Sequence, residues 1–156
     1  MRLYVTAGIV SKGAKVMLIG ISPLLGPDLL HALRAMGHGD EIALVDGNYP
    51  AAAHARRLIR ADGIQLLPML RAMLKIFPVE AAFRASLNND AAQKGDIHHS
   101  IDDLFLTDEQ KFSVTPLSGD DLYPRIGQAY AIIATSETAL FANVILRKAA
   151  LSAVKE

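Results

Sequence analysis

Apolar residues along this chain follow two rhythms. Leu29, Leu30, Leu33 and Met36 repeat at helical spacing. Pro27 suits a first helical turn, where its missing N–H costs nothing. The spacing predicts a short helix over residues 28–36, with Gly37 in the left-handed position just past its end. EIALV, residues 41–45, is a compact apolar run with polar bounds and predicts a strand. Asp46-Gly47-Asn48 then marks a turn, and Pro50 prevents immediate continuation of a central strand. RLIRADG (57–63) predicts a second strand. IQLLPMLRAMLKIF (64–77) predicts a helix that tolerates Pro68 in its first turn. AAFRASL (81–87), FSVTPLS (112–118), AYAIIATSE (129–137) and NVILRKA (143–149) predict further strands. A helix through Gln128 is expected, with Asp120 as its N-cap and Pro124 in its first turn. SLNNDAAQKGDIHHSIDD (86–103) is polar and shows no period, so it reads as a loop. Strands alternating with helices favour a layered α/β domain.

Length and composition narrow the picture. The chain has 156 residues, enough for one domain that hides roughly 70% of its unfolded surface. Hydrophobic residues make up 51%, which points to apolar surface in a subunit interface. Sixteen basic and sixteen acidic residues balance. That argues against nucleic acid or an anionic membrane as the main partner. No cysteine is present, which excludes disulfides, thiolate nucleophiles and cysteine zinc sites. No run approaches the ~18 apolar residues of a membrane span. Lys12 and Lys15 interrupt the first apolar residues, so a signal peptide is not expected. Residues 1–16 read as an N-terminal extension, residues 17–156 as the domain, and the protein as cytoplasmic.

Five short motifs now stand in order: ISPLLGPDLLHAL, then MGHGDEI and DGNYPA, then LIRADG, then ATSETALFANVILRKA. In that order and spacing the chain resembles the fucose mutarotase and ribose pyranase family of sugar-anomer isomerases, and LIRADG resembles the fucose branch. The likeness spans about Met17 to Leu151 and is poor over 86–118. It implies a three-layer α/β/α single domain, assembled as a homodecamer with monosaccharide sites at subunit interfaces, and neither metal nor cofactor. It implies that the glycine-flanked His38 carries protons and that Asp46, ending the next strand, binds the sugar. Asn143 and Phe141, in LFANVIL, fall at sugar-contacting positions of the family ending. Tyr123, in the preceding helix, is a further candidate, as is Arg125.

The chemistry suits those residue types. A cyclic sugar changes anomer when one group removes the anomeric hydroxyl proton and another protonates the ring oxygen. No bond to carbon needs a nucleophile, and a positioned general acid/base gives roughly 10²–10⁴-fold. An imidazole, with a reference pKa of about 6.5, both gives and takes a proton near neutrality. Glycines on either side let a sugar approach it, and the following strand is expected to carry Asp46 to the same edge. Asp40 and Glu41 are expected to fix the turn.

Two departures from the family matter. Phe141 stands where the family has tyrosine, and Gly119 where the fucose branch has arginine and the ribose branch histidine. A non-catalytic sugar-binding protein, serving uptake or sensing, is therefore the alternative reading, and an assembly protein with a decayed site is a third. His98-His99 with Asp102 and Asp103 imitates a metal cluster but lacks a ligand spacing that specifies one. His31 and His54 read as structural or exposed.

Overall fold

The computed structural model describes residues 16–152; the expected N-terminal extension lies almost wholly outside them. The elements are α1 (Pro27–Ala35), β1 (Glu41–Val45), α2 (Ala51–His54), β2 (Leu58–Ala61), α3 (Leu66–Leu74), β3 (Val79–Arg84), α4 (Asp96–Thr107), β4 (Ser113–Pro116), α5 (Gly119–Gln128), β5 (Ala131–Thr135) and β6 (Val144–Lys148). One 3-10 turn, Leu87–Asn89, precedes α4. Among the described residues, six strands form a single sheet in the order β2-β5-β1-β6-β3-β4. β6 runs antiparallel to both neighbours, β1 and β3. The remaining pairings are parallel.

Period-two alternation in the central strands builds a core on each side. Ile42 and Leu44 of β1 join Ile133 of β5 and Leu146 of β6 beneath α1, α3 and α4. Ala43 and Val45 face the other way, with Ile132 and Ile145, beneath α2 and α5. Three α/β/α layers follow. Burial falls off at the sheet's margins, where β2 and β4 alternate with exposed residues while β5 is buried throughout.

Local signals worked in most places. Pro27 does sit in the first turn of α1 and Pro68 in that of α3. Several expectations shift. Gly37 is not left-handed: α1 runs out through an extended Met36, and the positive φ, +84°, belongs to Gly39. A buried lysine explains the helix ending. Lys148 Nζ donates to the carbonyls of Leu33 and Met36 at 3.1 and 2.5 Å, satisfying orphan acceptors at the α1 terminus. Ser118 rather than Asp120 is the N-cap of α5, and Pro124 lies inside that helix beyond its first turn.

The largest difference is the stretch expected to be a loop, residues 86–103, whose second half is the start of α4. Its buried face is His98, Ile101 and Phe105, spaced three and four apart as a helix requires. The first of them is polar, which masks the apolar period. His98 earns its burial through two hydrogen bonds. Its Nδ1 accepts from the Gly95 N–H at 2.9 Å, so Nε2 carries the proton and donates to the Phe141 carbonyl at 2.9 Å. Burial, opposed by the bond to Phe141, holds its pKa below the usual 6.5. Arg84 of β3 pins the same helix by a two-pronged contact with Asp102, at 2.7 and 3.1 Å, and Lys94 joins at 2.6 Å. Burial works against ionisation of Asp102, yet the two cations outweigh it and hold the carboxyl below its ordinary range.

Candidate active site

The carboxyl ends of β1, β2, β3, β4 and β5 share one margin of the sheet, and the antiparallel β6 begins there. Asp46 follows β1 and Asn143 precedes β6, so adjacent strands deliver both side chains to one place. The Asp46 backbone N–H donates to Asn143 Oδ1 at 3.0 Å, which turns the Asn143 NH₂ outward as a donor. Asp46 Oδ1 accepts the N–H groups of Asn48 and Tyr49 at 2.9 and 3.0 Å. This Asx turn fixes the otherwise buried carboxylate and leaves Oδ2 for a ligand. Gly47 packs closely beside it: a Cβ there would sit 3.2 Å from the Glu137 carbonyl, which its own N–H bonds at 2.8 Å, so a side chain would need that carbonyl to shift.

Asp46 and Asn143 line a pocket of about 380 Å³ together with Tyr49, His54, Tyr123 and Phe141. That volume falls in the range typical of small-molecule sites. Tyr49 and Tyr123 stack with centroids 6.2 Å apart, forming an aromatic wall of the kind on which apolar faces of small ligands rest. Burial raises both phenol pKa values, with Tyr123 adding to the rise at Tyr49 and the Asp46 carboxylate to that at Tyr123. Both hydroxyls therefore stay protonated near neutrality. Phe141 adopts a left-handed φ of +58°. The buried His98 holds its carbonyl.

Gly119 lies behind this wall. A Cβ on it would meet Asn89 Cγ at 2.8 Å and Asn89 Cβ at 2.9 Å. Asn89 fills that space and accepts the Tyr123 hydroxyl at 3.1 Å. It does so from a left-handed φ of +58°, next to Asn88 at +54°.

Of the residues singled out in the sequence, Asp46, Asn143, Phe141 and Tyr123 converge on this pocket. His38 does not share it within one chain. It lies at the opposite end of β1, exposed, with Nε2 donating to the Glu80 carboxylate at 2.9 Å. Six residue steps from Asp40 to Asp46, at about 3.3 Å each, separate the two ends by about 20 Å. The expectation that β1 carries Asp46 to the same edge as His38 is thus corrected: a strand delivers its two ends to opposite margins. Asp40 does fix the glycine turn, accepting the Gly37 N–H at 2.8 Å. Glu41 instead holds Arg125, at 2.8 and 2.7 Å, and Arg147, which keeps Arg125 away from the pocket. His54, set aside in the sequence as structural or exposed, is on the pocket wall. Its Nδ1 lies 3.1 Å from the Tyr49 hydroxyl. The only sequence signal for it is its place a few residues after the Asp46 turn, on a four-residue helix too short to show a period. His98 and His99 lie on α4, and no cluster able to hold a metal occurs among the described residues. No described helix is long and apolar enough to cross a membrane.

The chain is 38% identical over 138 residues to the L-fucose mutarotase of Haemophilus influenzae (strain PittGG), an alignment covering 85% of this chain and 96% of that protein. It is 34% identical over 148 residues to the fucose mutarotase of Homo sapiens, covering 88% and 96%. The crystal structure of the fucose mutarotase from Streptococcus pneumoniae in complex with L-fucose superposes with a TM-score of 0.71 at 38% identity, covering 86% of this chain and all of that one. The model of the RbsD / FucU transport protein family matches residues 19–151. The chain belongs to that family.

Proposed function

We propose that this protein is a mutarotase for a fucose-like monosaccharide, opening and reclosing the pyranose ring by proton transfer. The observation that carries the reading is the joint placement of Asp46 and Asn143. One free carboxylate oxygen and one outward amide meet beside an aromatic wall, in a pocket of sugar-binding size. Asp46 accepts from two sugar hydroxyls, Asn143 donates to a third oxygen, and Tyr49, Tyr123 and Phe141 pack against the ring's apolar face.

In this reading His38 reaches the sugar from a neighbouring copy. Its exposure, its glycine flanks and its position on the margin opposite the pocket suit a residue that serves another subunit's site. The assembly is then a cytoplasmic homodecamer with its sites between subunits. Magnetisation exchange between the α and β anomers of L-fucose tests the activity. Wild-type protein is expected to speed exchange well above the spontaneous rate, and no acceleration with any monosaccharide would end the reading. Subunit sharing has its own test. His38→Ala and Asp46→Asn proteins, each inactive alone, should regain partial activity when co-assembled, because mixed interfaces rebuild intact sites.

A non-catalytic sugar-binding role is favoured by one observation: Phe141 brings no hydroxyl to the place where a tyrosine would supply one. Saturable sugar binding without faster exchange would select it.

A further inference from the structure

Mutarotation needs two proton transfers, so the pocket needs a group that can take a proton as well as give one. Asp46 Oδ1 is committed to two backbone N–H donors, and in the mutarotase reading its free Oδ2 is occupied by the sugar hydroxyls it orients. Asn143 neither gains nor loses a proton. Tyr49 and Tyr123 remain phenols, and Phe141 has no polar atom. Among the described residues lining the pocket, His54 alone carries an imidazole. Its ring meets that of Tyr49 edge-on, with centroids 5.5 Å apart. Its Nδ1 is occupied by the Tyr49 hydroxyl at 3.1 Å. Nε2 makes no hydrogen bond among the described residues. The contact on Nδ1 sets the ring's orientation, leaving Nε2 as the reactive atom.

We propose that His54 is a catalytic residue of this pocket, taking the proton of the anomeric hydroxyl on Nε2, with Tyr49 as its positioning residue. The inference rests on the mutarotase reading. In ring opening, the anomeric O–H proton passes to Nε2 and the carbon–oxygen double bond forms. The C1–O5 bond breaks with its electron pair going to the ring oxygen. That oxygen takes a proton from a second donor, the imidazolium of a neighbouring copy's His38. The carbonyl turns over, and closure runs the same transfers backwards. His54 returns its proton to the new anomeric hydroxyl and the ring oxygen's proton goes back to His38, so nothing is consumed.

The test compares wild type with His54→Gln, His54→Ala and Tyr49→Phe, measuring L-fucose anomer exchange over a range of sugar concentrations. His54 is exposed and Tyr49 is its one side-chain hydrogen-bond partner among the described residues, so thermal melts of its variants should match wild type. Both His54 variants should lose about 10²-fold in kcat while KM stays within a few-fold. Added imidazole should restore part of the rate to His54→Ala, which a merely structural histidine would not allow. Tyr49→Phe should lose about 5-fold, the equivalent of one neutral hydrogen bond, and should not respond to imidazole. Wild-type protein that speeds exchange alongside an equally fast His54→Gln would overturn the assignment and leave the mutarotase reading standing. A silent wild type would overturn both.

Discussion

Gly119→Ala should destabilise this protein, although alanine is the better helix former. The residue opens α5 and needs no left-handed backbone, so the added methyl by itself should stabilise by about 0.4–1 kcal/mol. Against that stands Asn89. Two of its carbons would lie 2.8 and 2.9 Å from the new Cβ, and one of them is its own Cβ. Rotating the Asn89 side chain cannot clear a contact made at the base of that side chain, so backbone must move. Overpacking of this kind costs about 1–3 kcal/mol, and displacing Asn89 from the Tyr123 hydroxyl costs about 1 kcal/mol more. The net loss should be about 2 kcal/mol, which urea titration reads as a midpoint lower by about 1 M for a slope of about 2 kcal/mol/M. Repeating the substitution on an Asn89→Gly background removes the obstacle, and there it should stabilise. The two sites should thus couple by more than about 1 kcal/mol in a double-mutant cycle. If Gly119→Ala alone raises the midpoint, or the cycle is additive, Asn89 does not hold the space. The same geometry implies that no larger side chain fits at position 119 while Asn89 remains.

Other outcomes follow from the buried polar contacts. His98 is neutral in the fold with its pKa lowered by burial, so the unfolded chain binds more protons once pH drops through 6.5. Stability should be full above that pH and fall below it, by at most about 1.4 kcal/mol per unit from this group; His98→Gln should flatten that limb in pH-resolved thermal melts. Asp102 acts lower down: its carboxyl is held below the ordinary 3.8, so its contribution should persist near neutrality and be lost as pH falls through its folded value. Arg84→Met should cost about 1.5–3 kcal/mol by urea titration, since Asp102 loses its two guanidinium bonds and keeps only Lys94. Glu137→Ala should cost about 1–3 kcal/mol by the same measure, because the buried carboxylate accepts the Leu66 N–H that opens α3, at 3.2 Å, and the Ala139 N–H at 3.0 Å.

The central strands were legible because burial on both faces leaves continuous apolar runs such as EIALV and AIIAT, which local pattern detects well. The α4 helix was not, because its inward face spends a histidine where a hydropathy reading expects a leucine. That histidine is paid for by a glycine N–H and a distant carbonyl, neither visible along the chain. The pocket was half legible. Family likeness pointed to Asp46, Asn143, Phe141 and Tyr123, and the sheet brings them together. It could not say that β1 sets His38 and Asp46 at opposite margins, since residues eight apart seem close in sequence whatever lies between them. Nor could it show that His54 ends a single helical turn facing Tyr49, or that an asparagine from the poorly matching segment fills the space above Gly119.

The late position of β6 in the chain and its central place in the sheet bear on how the protein is made. The Asp46–Asn143 contact joins residues 97 apart, and β6 must slot between β1 and β3, already synthesised. Before β6 is made, the other five strands can pair only as two separate groups, β2-β5-β1 and β3-β4, whose facing borders have no partner. Sugar-binding competence and release from that aggregation-prone stage should arise together, in a single closing event.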